Sequence, residues 1–218
     1  LTRSLVRWQA RRNSSSATGN LPYVVVPARY SPPLPCSHPP RSQVNIALIE
    51  GSTPILGVVQ VPATGKVYYA AKGQGAFVKN TPDSPAERIS VKTFSIADEG
   101  LTLVGSASHN SAATTEFVSQ FTSPQFEQLG SSLKLLMVAE GLAHCYPRLA
   151  PTCEWDTCAA HAIVLEAGGE VIQAGLCDNK GVALEDWKEV VAKELPVVYN
   201  KENVLNPYFV VYGKRTSS

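Results

Sequence analysis

The stretch that most constrains this chain runs from Pro151 to Val171, PTCEWDTCAAHAIVLEAGGEV. Pro151 and Thr152 belong to a loop, and Asp156 stands where an N-cap or first-turn acid belongs. Ala159, Ile163, Val164 and Ala167 recur at helical spacing and predict an amphipathic helix with one face on a core. Gly168 and Gly169 supply a left-handed C-terminal cap, and Val171-Ile172 open a strand. Asp156 therefore has two readings. As a capping acid it satisfies free N–H groups and contributes ~1 kcal/mol. As a metal or catalytic carboxylate it is held at a helix start, where the dipole favours the anion. Residue types alone do not choose between them.

Upstream, the patterning is that of strands and turns. Val44–Glu50, Ile55–Val61, Val67–Ala71 and Ala76–Val78 are apolar runs separated by Gly51-Ser52-Thr53-Pro54, Pro62–Gly65 and Gly73-Gln74-Gly75. They predict an antiparallel meander, and their near-continuous apolar character predicts cover on both faces. Gly73-x-Gly75 lacks the third glycine and the following helix of a nucleotide loop, so it reads as a turn. Leu101–Ser106 is a strand running into Ala107-Ser108-His109-Asn110, and Asn110 or Ser111 caps a helix bearing Phe117, Val118 and Phe121. By itself, a His after a strand reads as an ordinary surface or core residue. After the short strand Phe126–Leu129, Gly130-Ser131-Ser132 opens another helix. A Gly-Ser-Ser turn there offers backbone N–H groups and two hydroxyls to a phosphate, with Lys134 close by as a point charge. The plainer alternative is a serine cap and a solvated lysine. Arg148, ending the strand Ala143–Arg148, is either a solvated arginine or a planar fork for a phosphate. Leu184–Leu195 reads as a helix and Leu205–Tyr212 as a closing strand.

Composition excludes several function classes. A formal net charge of +1 argues against a nucleic-acid polymer as partner. No apolar run approaches the roughly 18 residues of a membrane span. The 5 cysteines form no C-x-x-C pair, and their odd number fits reduced thiols in an intracellular compartment. Cys153, Cys158 and His161 lack the second ligand pair of a structural zinc site.

Trp155-Asp156-Thr157 with Glu166-Ala167-Gly168-Gly169 resembles the second signature of the inositol monophosphatase superfamily, metal-dependent phosphomonoesterases. Gly130-Ser131-Ser132-Leu133-Lys134, Ala139-Glu140-Gly141 and Tyr146-Pro147-Arg148 are similar to the branch that hydrolyses 3'(2'),5'-bisphosphate nucleotides. Ser106-Ala107-Ser108-His109 matches that branch's S-x-S-H turn, whose histidine contacts the nucleotide, and Asn206-Pro207-Tyr208-Phe209 its N-P-x-F end. The resemblance implies a layered α/β helix/sheet sandwich of the inositol monophosphatase and sugar phosphatase type. It implies Mg²⁺ as cofactor, a small bisphosphate nucleotide as substrate, and removal of the 3'-phosphate of adenosine 3',5'-bisphosphate. By the same resemblance Asp156 binds metal, while Ser106, His109, Gly130, Ser131, Lys134 and Arg148 hold the nucleotide. An inositol-phosphate phosphatase is the alternative within the superfamily. A non-catalytic nucleotide- or phosphate-binding remnant is the alternative outside catalysis.

The resemblance runs from about Val44 to about Tyr212. Residues 1–43 hold Arg3, Arg7, Arg11, Arg12, Arg29 and Arg41 without a single acid, and a Pro/Ser cluster fills 31–40. Such composition reads as an unstructured tail, an organellar transit peptide, or sequence foreign to the domain. The expected organisation is therefore a non-family segment over 1–43 and the C-terminal part of a phosphatase-like domain over 44–218, in the cytoplasm or an organelle. The family's G-E-E and D-P-x-D-G metal segments have no counterpart here. Asp156 alone remains of the metal shell, and the expectation is a site able to hold nucleotide but poor in turnover.

Overall fold

The computed structural model describes residues 6–8, 23–26, 28–29, 43–105, 111–130, 132–178 and 182–216. Three short strands, β1 (Val6–Trp8), β2 (Tyr23–Val26) and β3 (Ala28–Arg29), precede β4 (Gln43–Glu50), β5 (Thr53–Val61), β6 (Lys66–Ala71), β7 (Gly75–Lys79) and β8 (Glu87–Ile89). All join one sheet in the order β1-β2-β4-β5-β6-β7-β8, with β3 also on β4. The meander over 44–78 is thus antiparallel throughout. Part of the segment expected to be unstructured supplies short backbone strands to the β4 edge. Tyr23–Val26 is its one β-branched run, and local propensity prevails there. The rest of 1–42 lies outside the described residues.

A second sheet follows β9 (Thr93–Phe94). It contains β10 (Thr102–Gly105), β11 (Gln125–Gln128), β12 (Cys145–Arg148), β13 (Glu170–Gly175) and β14 (Tyr208–Tyr212), in the order β11-β10-β12-β14-β13. The helices are α1 (Ala112–Val118), α2 (Leu133–Ala139), α3 (Glu154–Glu166) and α4 (Trp187–Val191), and a last strand, β15 (Lys214–Arg215), pairs with β9. Strand parity sorts the second sheet between two cores. Tyr146, Val171, Phe209 and Val211 face α2, α3 and the first sheet. Cys145, Ile172, Val210 and Tyr212 face Phe117 of α1 and Trp187 of α4. The layers are sheet, helices, sheet, helices, an α/β sandwich as the patterning and the resemblance imply.

Lying between two sheets changes the character of α3. Residues 157–164 are all buried, so the helix is not amphipathic as its spacing predicts. Its small residues permit this: α3 runs so close to β5 that a Cβ on Gly57 would overlap the Ala159 carbonyl oxygen. The helix stops at Gly168, which takes φ +91° and leads into β13. The first sheet, by contrast, is covered on one face only among the described residues. Ile46, Leu48, Val58, Tyr69 and Phe77 on its other face stay half-buried, with Tyr69 and Phe77 stacked at 5.6 Å.

The helix expected over 184–195 is shorter. Leu184 N donates to Leu176 O and Gln173 N to Leu195 O, so both ends are drawn into β-type pairing beside β13. Asp186 caps what remains, its side chain accepting from Lys188 N. No helix among the described residues is long and apolar enough to cross a membrane.

Candidate active site

Three strands of the second sheet, β11, β10 and β12, run parallel, and their carboxyl ends meet at one edge of the layer. The chain leaves β10 through α1 on one face and leaves β11 through α2 on the other. Such a reversal opens a crevice at the strand ends, where ligands bind in open α/β sheets. The sequence-predicted residues follow these ends. Ser106 and His109 come directly after β10, Gly130, Ser131 and Lys134 after β11, and Arg148 closes β12. Ser106, His109 and Ser131 lie outside the described residues. The strand end from which 106–110 departs is beside the Gly130 turn, because Leu129 N donates to Gly105 O at 3.2 Å.

Lys134 packs on Tyr146, which lies two residues before Arg148 on the same face of β12. Lys134 is 4% exposed; its Nζ donates to Leu129 O at 3.2 Å and sits 5.4 Å from the centroid of the Tyr146 ring. Arg148 Nη2 donates to Pro151 O at 3.0 Å, bracing the loop that leads to α3. Burial raises the Tyr146 hydroxyl far above its usual range, Arg148 opposes that shift, and the Asp156 carboxylate is near enough to add to it. One buried donor of this group, Arg148 Nε, has no partner among the described residues.

Ser132 behaves differently from expectation. Its hydroxyl does not cap α2 and does not face the strand ends. It turns into the core, within 2.8 Å of Gln43 Oε1 and 3.1 Å of Asn45 Oδ1 on β4. Those two buried amides outcompete the α2 start for the hydroxyl, so the turn does not offer both serine hydroxyls to a phosphate.

Asp156 is the third residue of α3, a first-turn acid. Its Oδ2 accepts from Cys153 N at 3.0 Å, closing the helix start on itself. The loop ahead of it is held from far downstream. Asn206 donates through Nδ2 to Thr152 Oγ1 and Thr157 Oγ1, and its own N–H goes to Thr152 O. Thr157 Oγ1 also accepts from the Tyr199 hydroxyl, which pairs at 2.9 Å with Nδ1 of the fully buried His161. Burial lowers His161 to about 3, so it is neutral across the ordinary pH range. Glu154, the neighbouring acid, is fully engaged: Oε2 accepts from Asn200 N, and Oε1 from Lys201 N and Lys201 Nζ.

These contacts decide whether the described residues fit a magnesium site. Mg²⁺ needs an octahedron of oxygen ligands. Here Asp156 places one oxygen on Cys153 N, Glu154 is neutralised by Lys201, and no group of three or more His, Cys, Asp or Glu side chains suited to a metal exists among the described residues. The described residues do not fit the ion. The zinc alternative fares no better, since His161 Nδ1 is paired with Tyr199 and Cys158 is buried, its thiol raised to about 12 chiefly by burial.

Sequence reasoning gave no role to Tyr146, Asn206 or Lys201. Tyr146 stands in the Tyr146-Pro147-Arg148 likeness and Asn206 in the N-P-x-F end, signals without a role; Lys201 gave none.

The pattern of the inositol monophosphatase family matches residues 37–207, beginning somewhat before the Val44 boundary. The 3'(2'),5'-bisphosphate nucleotidase CysQ of Salmonella typhimurium (strain LT2) is 38% identical over 169 residues, covering 77% of this chain and 58% of that protein. The protein of the same name from Escherichia coli (strain K12) is 37% identical over the same shares. The chain thus spans under two thirds of the length of these relatives. Among solved structures, CysQ from Bacteroides thetaiotaomicron superposes with a TM-score of 0.64 at 35% identity, over 80% of this chain and 64% of that one. An inositol monophosphatase from Zymomonas mobilis shares the fold at a TM-score of 0.56 and 15% identity, over 79% of this chain and 58% of that one.

Proposed function

The chain belongs to the inositol monophosphatase family, and from that premise we propose that it holds the phosphates of adenosine 3',5'-bisphosphate for removal of the 3'-phosphate. The observation that carries this reading is that Lys134, set over the Tyr146 ring, and Arg148, two residues along the same face of β12, stand at the carboxyl ends of parallel strands, with Asp156 opening the next helix. The planar Arg148 fork suits paired phosphate oxygens and the Lys134 ammonium supplies a point charge. Ser106, His109, Gly130 and Ser131 complete the nucleotide contacts in this proposal. The relatives named as bisphosphate nucleotidases support the substrate class.

Magnesium, when bound, polarises phosphoryl oxygens and activates water in such phosphatases. Since the described residues do not fit it, the role derived for this chain's own side chains is to bind and orient the phosphate. The expected behaviour is measurable nucleotide binding without ordinary turnover. Calorimetric titration of adenosine 3',5'-bisphosphate, beside phosphate release in excess Mg²⁺, tests it. Binding that falls in Lys134→Met and Arg148→Met supports the reading. Tighter binding of an inositol phosphate overturns the substrate class. Turnover at ~1–10³ s⁻¹ that vanishes in Asp156→Asn overturns the binding-only role.

A further inference from the structure

Gln43 and Asn45 are alternate residues of β4, so both enter the face on which Ala47 and Ile49 join the core. Two amides at core positions are costly unless they are hydrogen-bonded. The group that meets them comes from far along the chain: Ser132 Oγ lies 2.8 Å from Gln43 Oε1 and 3.1 Å from Asn45 Oδ1. A hydroxyl carries one proton and two lone pairs, so it can donate to one amide and accept from the other. Gln43 is 1%, Asn45 4% and Ser132 3% exposed, so water does not compete for these bonds. Ser132 stands between β11 and α2, at the N-cap of that helix, and makes no side-chain cap bond there. Two residues on is Lys134, whose Nζ returns to Leu129 O at the end of β11. The partner strand is a firm post, because β4 is hydrogen-bonded to β2 on one side and to β5 on the other.

We propose that Ser132 is a positioning residue: its hydroxyl moors the start of α2 to β4 of the first sheet, and so sets where Lys134 stands at the strand ends of the second. The phosphate as occupant rests on the nucleotide reading above; the mooring does not. Apolar packing of Leu135 and Leu136 holds α2 without direction, whereas a hydrogen bond fixes the place of one atom. Holding the helix start before a ligand arrives lowers the ordering cost of binding.

Amide hydrogen exchange in the ligand-free chain separates mooring from general stability. The Leu129 amide, which donates to Gly105 O, and the Leu135 and Leu136 amides, which donate to Ser132 O, report the helix start. The Val211 amide, in a strand paired on both sides within the second sheet, reports the body of the fold. In Ser132→Ala the first three are expected to exchange at least about tenfold faster, and Val211 to change less than about twofold. Equal acceleration at all four amides, or none, overturns the positioning role. Ser132→Cys keeps the volume with a much weaker hydrogen-bonding group, and the same criterion applied to it decides if Ser132→Ala does not fold. Titration with adenosine 3',5'-bisphosphate then asks what the mooring serves. Ser132→Ala is expected to weaken binding about fivefold, and on a Lys134→Met background to alter affinity less than about twofold, because it acts through Lys134. Unchanged affinity in the single variant, or additive losses, overturns the link to Lys134. A parent that binds no nucleotide overturns the nucleotide reading, and the exchange measurement still decides the mooring.

Discussion

At the α3 end of the strand-edge site, Asp156 stands within a lattice of bonds from remote parts of the chain. Asn206 ties Thr152 to Thr157, Tyr199 joins Thr157 to His161, and Lys201 closes on Glu154 at 2.6 Å. One acceptor there, Asn206 Oδ1, is left over. At the β12 end, Lys134 lies over the Tyr146 ring and donates to Leu129 O, Arg148 donates to Pro151 O, and the group left unmade among the described residues is a donor, Arg148 Nε. The first region is fixed by folding itself. The second keeps a buried N–H unmade, which in the proposed function meets a phosphate oxygen. Damage to the first is therefore expected to appear as lost stability, and damage to the second as lost affinity.

Acid tests the lattice most severely. His161 is lowered to about 3 by burial, so between about pH 6.5 and pH 3 the unfolded chain binds a proton that the folded chain refuses. Stability therefore falls as pH falls through that window, by up to ~1.4 kcal/mol per unit and roughly 5 kcal/mol in all. Urea unfolding at stepped pH is the measurement, and His161→Gln is expected to flatten the slope. Asn206→Ala comes next. It strips Thr152 and Thr157 of a buried donor and is expected to cost roughly 2–4 kcal/mol in the same assay at neutral pH. Tyr146→Phe is the smallest effect, within about 1 kcal/mol of the parent, because the ring and its packing remain. A Tyr146→Phe loss as large as that of Asn206→Ala would erase the contrast between the two ends.

Much of this architecture was legible in the chain. The meander over 44–78, the strand–helix–strand order and the α3 boundaries follow from apolar spacing and glycine placement, because these are local signals. What spacing could not carry were contacts between distant residues. Glu166 accepts from Gly73 N and Gly75 N, so the G-x-G turn is docked on α3, yet nothing near either segment announces it. Burial of α3 on all sides was hidden for a related reason: alanine reads as neutral until a second sheet lies over it. Of the site, Lys134, Arg148 and Asp156 were nameable from motifs. Tyr146 stood in one of those motifs but drew no role, since a tyrosine within a strand looks like any core aromatic.

The contact between Gly57 and Ala159 acts as a mechanical datum for the molecule. With no side chain to cushion it, α3 seats backbone against backbone on β5, and its height above the sheet is set by van der Waals radii. The Asp156 carboxylate inherits its coordinates from that seating. A methyl group added at Gly57 would shim the helix and carry the Asp156 carboxylate with it, so the placement of that carboxylate is gauged by a position about a hundred residues earlier in the chain.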